Sequence, residues 1–132
     1  MTETETSPGA DGAPEPRVLC DTESLMAADS APAGALWRLA EPGRQLDANL
    51  VRIPPGGRIG AHTEPDLDVL LLVVAGDGAL DRAADPQPLA PGSLVWLPRG
   101  SARGLVAGSG GLSYVTVHRR RPGMQIGTRP GW

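Results

Sequence analysis

Apolar side chains in this chain come in short runs separated by proline and glycine, a rhythm that predicts β-strands and tight turns over long helices. Residues 35–40 (ALWRLA) stop at Glu41-Pro42-Gly43, and residues 49–53 (NLVRI) stop at Pro54-Pro55-Gly56-Gly57. Residues 69–75 (VLLLVVA) meet Gly76-Asp77-Gly78, which reads as a hairpin turn because glycine takes positive φ without penalty. Residues 93–97 (SLVWL) end at Pro98, and residues 112–118 (LSYVTVH) run into Arg119-Arg120-Arg121-Pro122. Short strands at this spacing predict an all-β sandwich or barrel. The run 69–75 is apolar at every position, so both of its faces are expected to be covered. One would line the interior, and the other would meet a second sheet or a second subunit.

Upstream the pattern fades. Residues 1–17 hold few apolar side chains and are expected to form a disordered arm, because they cannot bury enough surface to offset the entropy of ordering. Residues 21–31 are expected to make a short helical turn, with Asp21-Thr22-Glu23-Ser24 as capping side chains ahead of Leu25-Met26. Residues 18–132 then form a single domain with a short C-terminal tail.

Composition narrows the picture. Phe is absent and aromatics make up 3% of the 132 residues, so the core has to be built from Leu, Val, Ile and Ala. The net charge of −3 makes no electrostatic case for nucleic acid. The N-terminus is acidic and polar, unlike a signal peptide, and no apolar run approaches the roughly 20 residues that span a bilayer. The single Cys20 cannot form an intrachain disulfide and has no base beside it in sequence. No membrane partner is expected, and a cytoplasmic location is. All twelve basic residues are Arg, which reads as the coding bias of a high-GC bacterium.

Two segments carry a more specific pattern. The first runs from Gly57 through His62-Thr63-Glu64 and Asp68-Val69 to Gly76, and the second is Gly92 to Pro98-Arg99-Gly100 and Arg103. In order, spacing and punctuation they resemble the paired motifs of the cupin superfamily: Gly, five residues, His-x-His, three or four residues, Glu, six residues, Gly; then Gly, five residues, Pro-x-Gly, two residues, His. The resemblance implies a cupin-like double-stranded β-helix, a jelly-roll barrel. It also implies that ligands bind inside the barrel, where metal-binding members converge three His and one Glu on a divalent ion.

Residue by residue, His62 keeps the first ligand of that set, and Glu64 stands where the second His would be. The family's Glu falls on Val69. Asp68 precedes it by one, and strand alternation should turn it away from the interior. Arg103 replaces the last His, and a guanidinium cannot ligate a metal. No cofactor is therefore the preferred reading; a divalent metal (Fe, Mn, Ni or Zn) held by His62, Glu64 and His118 is the alternative. Tyr114, Thr116 and His118 share one strand face; if that face lines the barrel, His62, Glu64 and His118 could form an open facial set for such an ion.

Without a metal, Arg103 would supply the positive charge, paired with Glu64 or a bound anion. His62 and Glu64, two residues apart, should point the same way and could relay a proton. The same residues also suit a bland role: a satisfied polar cluster, with Arg103 reaching outward to Asp66 or Asp68. Candidate catalytic residues are thus His62, Glu64 and Arg103, with Arg103, Tyr114, His118 and Trp96 as substrate contacts; Trp96 equally suits packing or a dimer interface. The expected function is small-molecule binding, with isomerase, lyase or cyclase chemistry on a small anionic or carbonyl metabolite of bacterial secondary metabolism. The alternatives are a metal-dependent cupin enzyme, dioxygenase- or isomerase-like, and a non-catalytic sensor or accessory protein. A homodimer is expected, since one small barrel cannot cover all the apolar strand faces.

Overall fold

The structure, a computed structural model, describes residues 14–27 and 33–121. Residues 1–13 of the expected arm, 28–31 of the expected helical turn and the tail beyond 121 lie outside them. A one-turn helix, α1 (Thr22–Met26), is capped by Asp21, whose side chain accepts from the Glu23 amide at 3.0 Å. Seven strands follow: β1 (Gly34–Arg38), β2 (Leu46–Ile53), β3 (Arg58–Thr63), β4 (Val69–Arg82), β5 (Gln87–Leu89), β6 (Leu94–Leu97) and β7 (Ala102–Arg119). Among the described residues, no helix is long and apolar enough to cross a membrane.

All strand pairs are antiparallel, and the long strands β4 and β7 organise the fold by pairing with each other along almost their whole length. Each changes its other neighbour halfway. The first half of β4 and the second half of β7 sit in a face ordered β1-β2-β7-β4-β6, while their remaining halves sit in a face ordered β3-β7-β4-β5. Two faces joined by shared strands make the expected double-stranded β-helix.

The expected hairpin at Gly76-Asp77-Gly78 is corrected. The chain does not reverse there: residues 69–76 pair with 112–118, and residues 78–82 pair with 103–107. The segment is instead the corner at which β4 passes from one face to the other, with register slips at Val73/Ala75 and Gly76/Gly78. Gly76 has φ +79°, and a Cβ there would lie 2.1 Å from the Gly111 carbonyl oxygen. Only a residue without a side chain lets the two backbones cross this closely.

Inside, Val69, Leu71, Val73, Leu80, Leu97, Leu105 and Leu112 are at most 6% exposed and pack with Tyr114. Each such Leu contributes about 1.5–3 kcal/mol through burial. Alternation along β4 sends Leu70 and Leu72 outward, and in the single chain they stay 45% and 40% exposed. Among the described residues, no second sheet supplies the cover expected for the outer face of this run.

Candidate functional site

The middle of the first motif, residues 62–68, and the end of the second, residues 98–103, meet at one rim of the barrel, away from the Gly76 corner. The loop 64–68 joins β3 to β4, the turn 98–101 joins β6 to β7, and β7 finishes beside them. Three contacts tie the rim together: the Gly100 amide donates to the Glu64 carbonyl at 2.8 Å, Arg99 pairs with Asp68, and Arg121 pairs with Glu64.

His62 and Arg103 face each other across β3 and β7 as register partners, so their side chains rise from the same face. That face is the inner one, because Arg103 is 1% exposed. Its Nη1 donates to Pro98 O at 3.3 Å and to Ser101 O and Oγ at 3.1 Å each. The turn that offers these acceptors closes by Ser101 N to Pro98 O at 3.1 Å, with Gly100 at φ +84°. Burial pushes the Arg103 pKa down, and the nearby Glu64 charge partly restores it. The outward alternative, with Arg103 pairing Asp66 or Asp68, is corrected. Asp68 accepts from Arg99 through its backbone amide at 2.9 Å and its Nη1 at 3.1 Å, and Asp66 lies 3.9 Å from Arg121. Asp68 does turn away from the interior, as alternation demands.

Glu64 is also buried, at 6% exposure. Its Oε2 accepts from the Asp66 amide at 2.8 Å and its Oε1 from Arg121 Nη2 at 2.5 Å. Burial alone would raise its pKa; the Asp66 amide and the Arg121 guanidinium outweigh that, and the carboxyl ends below its ordinary value. His62 is half-buried, and its Nδ1 donates to Gly60 O at 3.0 Å, which makes Nε2 the basic nitrogen.

The remaining candidates divide. Tyr114 and Thr116 are 1% and 0% exposed, so the face they share with His118 does line the barrel. Tyr114 lies in the apolar cluster, where burial pushes its phenol pKa up. His118 stands at the rim beside Val69 and Asp47, its Nδ1 donating to Arg119 O at 2.8 Å. Trp96 is not brought to this group: it stands on the outer face opposite Leu70, 58% exposed. The sequence reading missed Arg99, Arg119 and Arg121 as part of the site. Arg99 and Arg119, with Asp66, Leu67 and Asp68, line a cleft of about 480 Å3 at the rim. Arg99 lies inside the second motif, and the Arg119–Arg121 run reads from sequence as a solvated strand end, with a phosphate or partner contact as the alternative.

A dication suits this constellation poorly. Both Glu64 oxygens already accept hydrogen bonds, Val69 offers no donor atom, and the last ligand position holds a buried cation. Among the described residues, no three of His, Cys, Asp and Glu come together as a metal-ligating group. The set His62, Glu64 and His118 is therefore not assembled.

No protein-family model matches this chain, and no curated protein does. Solved structures do match in fold. BH2720 of Bacillus halodurans superposes with a TM-score of 0.67 at 20% identity, covering 87% of this chain and 88% of that one. A cupin-2 domain protein of Shewanella frigidimarina gives 0.55 at 18% identity over 64% and 78% of the two chains. A sugar phosphate isomerase of the cupin superfamily from Silicibacter pomeroyi gives 0.54 at 24% identity over 60% and 53%. The chain spans about half the length of that isomerase. At such identities the likeness concerns architecture, and chemistry has to be argued from the site.

Proposed function

Proceeding from a barrel with the cupin fold, we propose that this protein binds a small anionic metabolite at the rim where its two motifs meet. The observation that carries the reading is the charge of that rim. Arg99 and Arg119 line the cleft with Asp66 and Asp68, Arg121 pairs with Glu64 and Asp66 next to it, and the buried Arg103 lies within reach of the Glu64 charge. Arg99 and Arg121 are tied to Asp68 and Glu64, whereas Arg119 has no ion pair among the described residues. A carboxylate or phosphate entering the cleft would find Arg119 without a carboxylate partner, and a charge-assisted hydrogen bond to it would be worth about 1.5–3 kcal/mol.

Chemistry on such a ligand would fall to His62. Its Nε2 is the nitrogen able to take a proton from carbon or oxygen, and the inward Arg103 would favour the negative charge left behind on a carbonyl or enolate. Glu64 then works as a positioning residue that holds Arg121 and the loop 64–68. This is isomerase, lyase or cyclase chemistry and needs no metal step. That one fold neighbour is a sugar phosphate isomerase agrees with an anionic substrate.

Calorimetric titration tests this with inorganic phosphate, a sugar phosphate, a small 2-oxo acid and the neutral sugar as separate arms. Saturable binding of at least one anion is expected, weakened about tenfold or more by Arg119→Ala, whose exposed side chain can be removed without harm to the core. Equal binding of the neutral sugar, or unchanged affinity in Arg119→Ala, would defeat the proposal. So would near-stoichiometric Fe, Mn, Ni or Zn in protein purified without chelator.

A further inference from the structure

The chain has two histidines, His62 and His118, and the barrel gives them matching places. Each stands one residue before the end of its strand, His62 on β3 and His118 on β7. The loop 64–68 leads from the end of β3 to Val69, which is the register partner of His118. One short loop therefore joins the two positions, and both lie at the same rim on opposing faces of the barrel. Both side chains rise from the inner surface. His62 is the register partner of the buried Arg103, and His118 continues the line of the buried Tyr114 and Thr116.

The rings are also held alike. In each, Nδ1 donates to a main-chain carbonyl, Gly60 O at 3.0 Å for His62 and Arg119 O at 2.8 Å for His118. In both rings Nε2 is thus the nitrogen at which a proton comes and goes. Both rings are half-buried, so each is fixed without being sealed off. Their cross-strand neighbours differ in sign: the Arg103 guanidinium for His62, and for His118 the Asp47 carboxylate, which accepts from Arg44 Nε at 2.9 Å.

We propose that His118 is a second catalytic residue, which returns a proton to the face of a carbon opposite the one that His62 strips. This rests on the reading of His62 as the base and narrows the chemistry to epimerisation. The substrate class is a small anion with a hydrogen-bearing stereocentre next to a carbonyl. The C–H bond breaks toward His62 Nε2, and its electron pair moves into the carbonyl to give an enolate beside Arg103. The planar carbon then bonds to the proton that His118 Nε2 releases from the other side. His62 ends with one proton more and His118 with one fewer, and exchange with water restores both. A lone base returns a proton to the side it came from; two bases on opposing walls reach both sides of a trapped enolate.

Proton NMR in D2O tests this on an aldose phosphate and on a 2-oxo acid chiral at C3, each supplied as separate epimers. The wild type should replace the hydrogen next to the carbonyl by deuterium and invert the centre. In His118→Gln, inversion should fall about a hundredfold or more, while the epimer served by His62 still exchanges with retention. His62→Gln should show the mirror pattern, exchanging the opposite epimer alone. A merely structural role for His118 would lower exchange and inversion together, and that result overturns the inference. So does inversion undiminished in His118→Gln; both outcomes leave His62 standing as the base. Absence of exchange by the wild type with every probe overturns the inference together with the role of His62, and leaves anion binding to be judged by the calorimetry.

Discussion

Replacing Glu64 by Gln offers a direct measure of how the rim is held. The substitution keeps shape and leaves an oxygen to accept from the Asp66 amide, but removes the charge that draws Arg121 inward and offsets the buried Arg103. Charged hydrogen bonds are worth about 1.5–3 kcal/mol against about 0.5–1.5 for neutral ones, so the Asp66 contact loses ~1 kcal/mol. The Arg121 side chain is 38% exposed, which limits its pair to ~0.5 kcal/mol. Loss of the attraction to Arg103 adds ~1 kcal/mol. Glu64→Gln should therefore destabilise the fold by about 2–3 kcal/mol near neutral pH.

The pH dependence carries the sharper test. Because the net effect of burial, the Asp66 amide and Arg121 is a lowered carboxyl pKa, the stabilisation is present above the unfolded value of about 4.3. It is lost as pH falls through the folded value. Urea unfolding followed by tryptophan fluorescence should show the gap between wild type and variant closing as pH falls from about 7 to about 3. In an Arg103→Met background, which keeps length and volume without the cation, the same Gln substitution should cost ~1 kcal/mol less. A gap that persists in acid, or is the same in both backgrounds, would refute the electrostatic account of the rim.

Further outcomes are expected elsewhere in the molecule. Gly76→Ala should destabilise the barrel by about 2 kcal/mol or more, since it adds a side chain at positive φ and forces β4 away from the Gly111 carbonyl; thermal unfolding reads this directly. Tyr114 is the only tyrosine, and burial raises its pKa. Alkaline absorbance should therefore show no ionisation near the ordinary value of about 10 and a single step coincident with unfolding. Arg103→His places a second imidazole opposite His62 and removes the fixed charge, so affinity for Ni2+ or Zn2+ should rise about tenfold or more by calorimetry.

Much of this architecture was written into local chemistry. Proline and glycine mark where a chain can turn, and the breaks at Pro42-Gly43, Pro54-Gly57 and Pro98-Gly100 are where strands end. The two motif spacings brought His62, Glu64 and Arg103 to one rim, because strand alternation and antiparallel register follow from counting residues. The same counting turned Asp68 outward. Strands β3 and β5 were not legible, since RIGAHT and QPL contain no apolar run and owe their conformation to neighbours already in place.

Tertiary structure alone decided the rest. Gly76-Asp77-Gly78 has the local chemistry of a hairpin, yet it is a corner, because segments distant in sequence pair on either side of it. Trp96 could have pointed in or out until β6 took its register with β4 and set it beside Leu70. Arg121 joined the site because β7 ends at the rim where Glu64 is buried, a meeting of residues 57 positions apart. Strand periodicity and turn geometry act within a few residues and survive in the sequence. Pairing across the barrel depends on which faces find each other, and that becomes visible only once the chain has closed on itself.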